Sequence, residues 1–411
     1  MKIVKIISKY TALSIILVTT IISCSKDNNG PDYQYFVSKE VAVSFSKTYI
    51  SNLIDAVSGT IPEVSSLKSL IISDIDIYRV VYTSTIDGKQ VNLSGLICVP
   101  VNPGEYAVLS FQNGTNTVNA FAPSEFPINY PYQLIEVIAS MGYIVVVADY
   151  PGFGESSQLV HPYLVAEPTV RSLVDMLYCV KEMGKSELPD ITIKNEYYLL
   201  GYSQGGWATL ALHKALELEY YDDFTLKGSV CGAGPYNIFL LLEGIVNETT
   251  YPMPVYLGYI LHAYSAYNQF TNPVTDIFNE PYATRIANLY NGLQSSEAIN
   301  NQLTTSVSDL ITPEFLAGFH SSPEYSVVRD ALYRNSVSPW HTYKPLLLIH
   351  GGGDTQVNPV STENMYSAMI EAGTSPLVCN KIIIPGVDHG DGVAPAMIQG
   401  ILFLITLMNS N

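Results

Sequence analysis

Apolar positions along this chain switch between two spacings. "IDIYRVVYTST" and "QVNLSGLICVP" read as strands flanking Asp87-Gly88, a dipeptide that favours a two-residue hairpin turn. "YAVLSFQNGTNT" predicts a third strand, and a helix-like segment follows near "YPYQLIEVIASMG". "YIVVVADYPGFGES" is a continuous apolar run that breaks into a glycine-rich loop, the appearance of a strand buried on both faces. The helix "TVRSLVDMLYCVKEMG" comes next, then the strand "EYYLLGYS" running straight into another helix. Three more strands are expected in "LKGSVCGAGP", "YKPLLLIHGGGD" and "NKIIIPGVDHG".

Strands alternating with helices predict an α/β fold with a mainly parallel central sheet, helices on both faces and an antiparallel hairpin at its start. One interval breaks the rhythm. Residues 237–341 carry helix-compatible text such as "NIFLLLEGIV" and "VYLGYILHAYSAYNQF" but no comparable strand. That is too long for a bare loop, so it reads as a helical cap inserted between two core segments, 38–236 and 342–411. The terminal "MIQGILFLITLM" falls short of the ~20 apolar residues a membrane span needs and is expected to pack in the core.

Composition narrows the function classes. Hydrophobic residues make up 47% and charged residues 14%, a globular balance. The net charge of −17 repels phosphate backbones, which argues against a nucleic-acid partner. There is no internal repeat, phosphate-binding glycine loop or zinc-spaced Cys/His cluster. Cys98, Cys179, Cys231 and Cys379 sit in apolar runs, as small buried hydrophobes do; their spacing requires no disulfide.

The first residues are export signal and not fold. Lys2, Lys5 and Lys9 precede an apolar run that ends in small residues around Cys24. The end of this segment resembles the lipobox of bacterial lipoproteins, with Ile21 where Leu is usual. The resemblance implies a signal over residues 1–24, lipid on Cys24 as the only membrane contact, and outer-membrane or surface placement. Residues 25–37 read as a polar tether. The alternative is a cleaved signal that happens to contain a cysteine.

The candidate chemistry lies where "EYYLLGYS" meets its helix. Gly201-Tyr202-Ser203-Gln204-Gly205 fits G-x-S-x-G, and Ser203 ends a strand and opens a helix. A serine hydroxyl needs a base, and in this arrangement the chain order is Ser, then acid, then His. Of seven histidines, only His389 follows the last strand in a glycine-rich loop, so it is the expected base. Asp354, just past "LLLIHGGG", is the expected acid. Asp388 and Asp391 adjoin His389, but sequence neighbours rarely make the required in-plane hydrogen bond. Asp149 reads as loop-fixing, and His350 as a satisfied buried histidine outside the catalytic set. Backbone N–H groups of Gln204 and Thr115 are the expected oxyanion donors, Gly114 being the near alternative. Each of these residues also has a bland reading, as a turn or helix-capping residue.

With "DYPGFGES", "GYSQGG" and the large helical insertion, the chain from about Asp76 to Leu407 resembles a serine α/β-hydrolase, most like the secreted lipase family of the fungal lipase-A type and its bacterial relatives. It departs at Asn113, where a histidine before glycine is common. The resemblance implies hydrolysis of a small-molecule carboxylic ester through an acyl-serine, without metal or organic cofactor. An apolar acyl group is suggested by the Leu-, Ile-, Tyr- and Phe-rich cap text, which is also what a cap's own core requires. Two alternatives stay open. One is a serine peptidase, needing an acidic pair from among Glu243, Glu248 and Glu280. The other is an inactive surface lipoprotein whose 30 tyrosines would suit glycan or lipid binding.

Overall fold

Asp87 and Gly88 both take positive φ, 50° and 70°, and close a two-residue turn between β2 (Ile75–Ile86) and β3 (Lys89–Pro100). The pair stays in register from Ile86–Lys89 to Ile75–Pro100. This hairpin starts the sheet of a computed structural model that describes residues 32–128 and 130–409. The other strands are β1 (Phe36–Phe45), β4 (Gly104–Gln112), β5 (Tyr143–Ala148), β6 (Ile191–Tyr202), β7 (Leu226–Gly232), β8 (Leu346–Gly351) and β9 (Cys379–Ile384). Among the described residues nine strands form one sheet, ordered β1-β2-β3-β5-β4-β6-β7-β8-β9. Pairing is antiparallel from β1 to β5 and parallel from β5 to β9.

Period-two alternation sends successive side chains to opposite faces. Ile144 and Val146 join one core; Val145 and Val147 join the other. The first core is covered by α3 (Ala166–Ser186), α4 (Gln204–Leu218) and α12 (Val360–Glu371). The second lies under α1 (Lys47–Ser58), the turn Val137–Met141 after α2 (Tyr130–Glu136), and α13 (Val393–Asn409). The chain leaves β4 toward one face and β6 toward the other. Adjacent strands with diverging exits open a crevice at their carboxyl ends, where ligands bind in sheets of this kind.

Between β7 and β8 the chain runs through short helices: α5 (Ile238–Val246), α6 (Pro254–Ala266), α7 (Tyr282–Leu289), α8 (Ser296–Asn300), α9 (Val307–Leu310), α10 (Pro313–Gly318) and α11 (Ser326–Asn335). Their apolar residues pack on each other and run on into the first core. The cavity among Leu257, Leu261, Phe270 and Phe315 measures about 30 Å³, room for about one water. Much of the apolar text in this interval is therefore the insertion's own core.

Three features differ from the sequence reading. β1 and α1 carry the chain through a stretch for which no element was expected. β1 is an edge strand with Val37 and Val41 exposed, so its alternation is weak. α1 did carry a signal, with Ile50, Ile54 and Val57 buried at helical spacing and Ser46 capping Tyr49 N–H. The tether read as 25–37 ends early, because the backbone N–H groups of Gln34, Tyr35 and Phe36 all donate to the Glu182 carboxylate on α3. The four cysteines are free and buried. α13 is half buried against the sheet, and among the described residues no helix is long and apolar enough to cross a membrane. The signal and Cys24 lie outside the described residues.

Glu136, at the end of α2, is buried, and among the described residues neither carboxyl oxygen has a hydrogen-bond partner. Burial pushes its pKa from 4.5 up to about 8. The native chain then holds a proton that the unfolded chain releases near pH ~4.3, so stability falls as pH rises from there to about 8. The slope is at most about 1.4 kcal/mol per pH unit. Glu136→Gln is expected to flatten this dependence, read from urea unfolding at pH 5, 6.5 and 8; parallel wild-type and variant curves would refute the assignment.

Candidate active site

β6 ends at Tyr202 and α4 begins at Gln204, leaving Ser203 as the whole turn. Its φ of 59° and ψ of −123° are strained for a residue with a Cβ, at a cost of about 1–3 kcal/mol. The neighbours allow the turn to close. A Cβ on Gly205 would sit 1.9 Å from the Gln112 carbonyl oxygen at the end of β4, and one on Gly206 2.2 Å from that of Gly232 at the end of β7. The Ser203 N–H donates to the same Gly232 carbonyl at 2.8 Å. The helix thus starts wedged between two strand ends, with the serine side chain at its mouth.

Ser203 Oγ lies 2.9 Å from His389 Nε2, and His389 Nδ1 lies 2.5 Å from Asp354 Oδ2. The carboxylate accepts the hydrogen bond from Nδ1–H, which keeps the proton on Nδ1 and leaves the Nε2 lone pair facing the serine hydroxyl. The three residues come from the turn after β6, the loop after β8 and the loop after β9. Tyr202 holds the last of these in place, its hydroxyl donating to the His389 carbonyl at 2.8 Å.

Asp354 is surrounded by donors. Its Oδ1 accepts N–H groups from Gln356 at 2.8 Å and Val357 at 2.9 Å, and its Oδ2 faces His350 Nε2 at 3.1 Å besides His389. Burial alone raises its pKa, but the two histidines and the Val357 N–H outweigh burial and hold it well below the usual carboxylate range. His350 is buried and satisfied, by Thr362 Oγ1 at 2.8 Å and the Val357 carbonyl at 2.8 Å, yet it also touches the acid. The sequence reading, a satisfied buried histidine outside the catalytic set, did not include this contact with Asp354: a histidine inside an apolar strand gives no sign of what its far edge meets. Asp388 lies elsewhere, accepting the Asp391 N–H in its own turn. Asp149 binds Ser94 and Ser124 and pins the loop after β5.

The loop after β4 passes beside Ser203. A Cβ on Gly114 would lie 3.8 Å from Ser203 Cβ. Among the described residues the N–H groups of Gln204 and Thr115 donate to no other backbone carbonyl. Thr115 Oγ1 shares a 2.8 Å hydrogen bond with Tyr163, and the Gln204 side chain donates to His161 Nε2 at 2.8 Å. The insertion reaches this region through tyrosine hydroxyls. Tyr259 donates to the Asn116 carbonyl at 3.2 Å, Tyr251 to the Gln356 carbonyl at 3.0 Å and Tyr256 to Gln356 Oε1 at 3.1 Å. None of His161, Tyr163 or these cap tyrosines was singled out from sequence. The only signal was their density in "HPYL" and "YPMPVYLGY".

Sheet order, diverging connections and the crevice they open define an α/β-hydrolase. Residues 124–375 match the secretory lipase family, and the chain belongs to that family. It is accordingly an exported carboxylic ester hydrolase acting on a small-molecule ester. No curated protein matches the chain in sequence. Among solved structures, it is similar to a Legionella pneumophila protein at 24% identity and a TM-score of 0.80, over 91% of this chain and 98% of the other. The rice cell wall degrading esterase LipA from Xanthomonas oryzae superposes with a TM-score of 0.76 at 21% identity, over 91% of this chain and 97% of that one. Candida antarctica lipase A in its closed state gives a TM-score of 0.61 at 12% identity, over 91% and 82%. At these identities the likenesses establish the fold.

The wedge at the turn predicts a contrast between two glycines. Gly205→Ala is expected to cost on the order of 3 kcal/mol or more, or to prevent accumulation of folded protein. Gly244→Ala, in α5 with open space around it, should leave stability unchanged or raise it by up to about 1 kcal/mol. Denaturant unfolding of both variants checks the pair; equal effects would refute the packing account.

Proposed function

We propose that Ser203 is the nucleophile, His389 the general base and Asp354 the acid that orients it, in a two-step hydrolysis of a carboxylic ester through an acyl-serine. The observation that carries this reading is the unbroken path of hydrogen bonds from Asp354 Oδ2 through His389 to Ser203 Oγ. As Oγ bonds to the ester carbon, its proton passes to Nε2 and the carbonyl electrons move onto oxygen. The N–H groups of Gln204 and Thr115 receive that oxyanion, helped by the positive end of α4. The oxyanion collapses, the alcohol leaves with the proton from Nε2, and water repeats the sequence to release the acid. Asp354 stays ionised throughout and stabilises the imidazolium.

Residues 237–341 act as a cap over this pocket, and 38–236 with 342–411 as its hydrolase core. The acyl group is taken to be apolar from the Leu-, Ile-, Tyr- and Phe-rich text of the cap, from which Tyr259 stacks on Tyr163 at 4.4 Å. Ester is favoured over peptide because, among the described residues, two of the three candidate acids are engaged, which leaves Glu248 alone to meet an amino terminus. Glu243 faces His320 at the surface and Glu280 accepts from Thr284. At the other end, Cys24 carries the lipid of an outer-membrane lipoprotein after removal of the residues before it.

Hydrolysis of p-nitrophenyl esters from acetate to palmitate tests the chemistry. Ser203→Ala is expected to lose about 10⁴-fold or more in kcat, and the chain-length optimum to define the acyl pocket. A variant within about tenfold of wild type would remove Ser203 as nucleophile. For the anchor, Cys24→Ser is expected to move the protein from the detergent to the aqueous phase of a Triton X-114 partition; unchanged partitioning would rule lipidation out.

A further inference from the structure

The two proposed oxyanion donors stand on separate elements, Gln204 on the helix after β6 and Thr115 on the loop after β4. An oxyanion hole works only if its N–H groups keep a fixed spacing, and misplacement by about 1 Å costs on the order of 100-fold in rate. β4 and β6 are paired up to Gln112 and Gly201, but the two donors lie beyond that pairing, where a third element spans them. The connection from β5 to α3 does so at one tripeptide, His161-Pro162-Tyr163. His161 Nε2 accepts the Gln204 side-chain N–H at 2.8 Å, and the Tyr163 hydroxyl shares a 2.8 Å hydrogen bond with Thr115 Oγ1. We infer that His161 and Tyr163 are positioning residues that gauge the oxyanion hole, each gripping the side chain of one donor residue. This rests on the assignment of Gln204 and Thr115 as the donors.

The environment of His161 is built for an acceptor. Its Nδ1 lies 2.9 Å from the Pro151 carbonyl, which can only accept, so Nδ1 carries the proton and Nε2 the lone pair. That fixes the Gln204 amide with its NH₂ toward His161. The ring is 4% exposed and enclosed by Tyr150, Phe153, Tyr163 and Tyr259 at 5.0–6.0 Å between centroids. Burial lowers its pKa to about 4, partly offset by the Pro151 carbonyl and Gln204, so the lone pair persists at neutral pH. The loop is shaped to bring the ring here: Gly152, at φ 92°, has no Cβ, and one would meet the His161 backbone N at 2.5 Å. Tyr163 is fixed in turn by Tyr259 of the insertion, stacked on it at 4.4 Å and 8° and bonded to the next loop residue, Asn116.

A core histidine and a core tyrosine would affect stability alone, whereas gauge residues affect the transition state. The test uses the soluble mature protein carrying His161→Phe, His161→Gln, Tyr163→Phe, Gln204→Leu and the double variant His161→Phe/Gln204→Leu. For each, kcat, KM, Tm and the Ki of an alkyl trifluoromethyl ketone are measured; that inhibitor adds to the serine and places an oxyanion in the hole. His161→Phe should lose about 10- to 100-fold in kcat with KM within about twofold, and Ki should rise in step with the loss in kcat/KM. His161→Gln, which restores an acceptor, should recover most of it. Tyr163→Phe, which loses only a hydroxyl, should lose about 3- to 10-fold and carries the test if the histidine variant does not fold. The double variant should be no worse than the poorer single. Unchanged kcat and Ki with a lowered Tm would overturn the inference, as would losses that multiply in the double variant. Ser203→Ala separates the two levels: activity remaining there removes the underlying mechanism, while an inactive Ser203→Ala beside a normal His161→Phe removes the gauge alone.

Discussion

Everything in this protein is arranged around one strained residue. Ser203 holds φ at 59° because the chain turns from β6 into α4 within a single position, between the ends of β4 and β7. A serine in that conformation is unfavourable by itself, and three contacts over-determine it. Its N–H is bound to Gly232, while Gly205 and Gly206 let the first turn of α4 lie against the carbonyls of Gln112 and Gly232. The sheet order follows from the same need. With β4 and β7 flanking β6, both strand ends lie within van der Waals reach of the turn. The loop that follows β4 then starts beside Ser203, and the loops after β8 and β9 arrive from the other side.

Asp354 is the electrostatic counterpart of that wedge. A buried carboxylate is costly unless its lone pairs are met, and here two backbone N–H groups and two imidazoles meet them. The result is a charge that persists in a buried site and fixes which nitrogen of His389 is protonated. His350 contributes without facing the serine at all. It sits inside β8, donates toward the acid from beneath and is itself tied to Thr362 on α12. The carboxylate is therefore positioned by the sheet as well as by its own loop.

Much of this was legible in the chain, for reasons that differ from residue to residue. Strands buried on both faces wrote themselves as apolar runs, and Asp87-Gly88 marked its hairpin because few dipeptides tolerate two positive φ values. Ser203, Asp354 and His389 stood out because each follows a strand and falls in glycine-rich text, where backbone conformation restricts the sequence. β1 was hidden by its edge position, where exposed Val37 and Val41 blur the alternation, whereas α1 was marked by Ser46 and the spacing of Ile50, Ile54 and Val57 and was missed. His161 and Tyr163 were illegible for another reason. Their meaning lies in contacts across 43 and 48 positions of chain, and a histidine or tyrosine in a loop carries no mark of its partner.

The same distinction explains why the insertion is tied to the site by tyrosines. Its apolar residues are continuous with the core on one face of the sheet, so packing holds the segment in place. Hydroxyl groups at the ends of rigid rings then fix its relation to the loops above the sheet. Tyr251 and Tyr256 both bind Gln356, whose own N–H donates to Asp354, and Tyr259 binds Asn116, next to Thr115. Each contact joins a buried or half-buried ring of this segment to a polar atom close to Asp354 or Thr115. A displacement of residues 237–341 would therefore reach the Asp354 carboxylate through Gln356 and the loop after β4 through Asn116 together. Placement of Asp354 and of Thr115 thus depends on this segment as well as on the sheet.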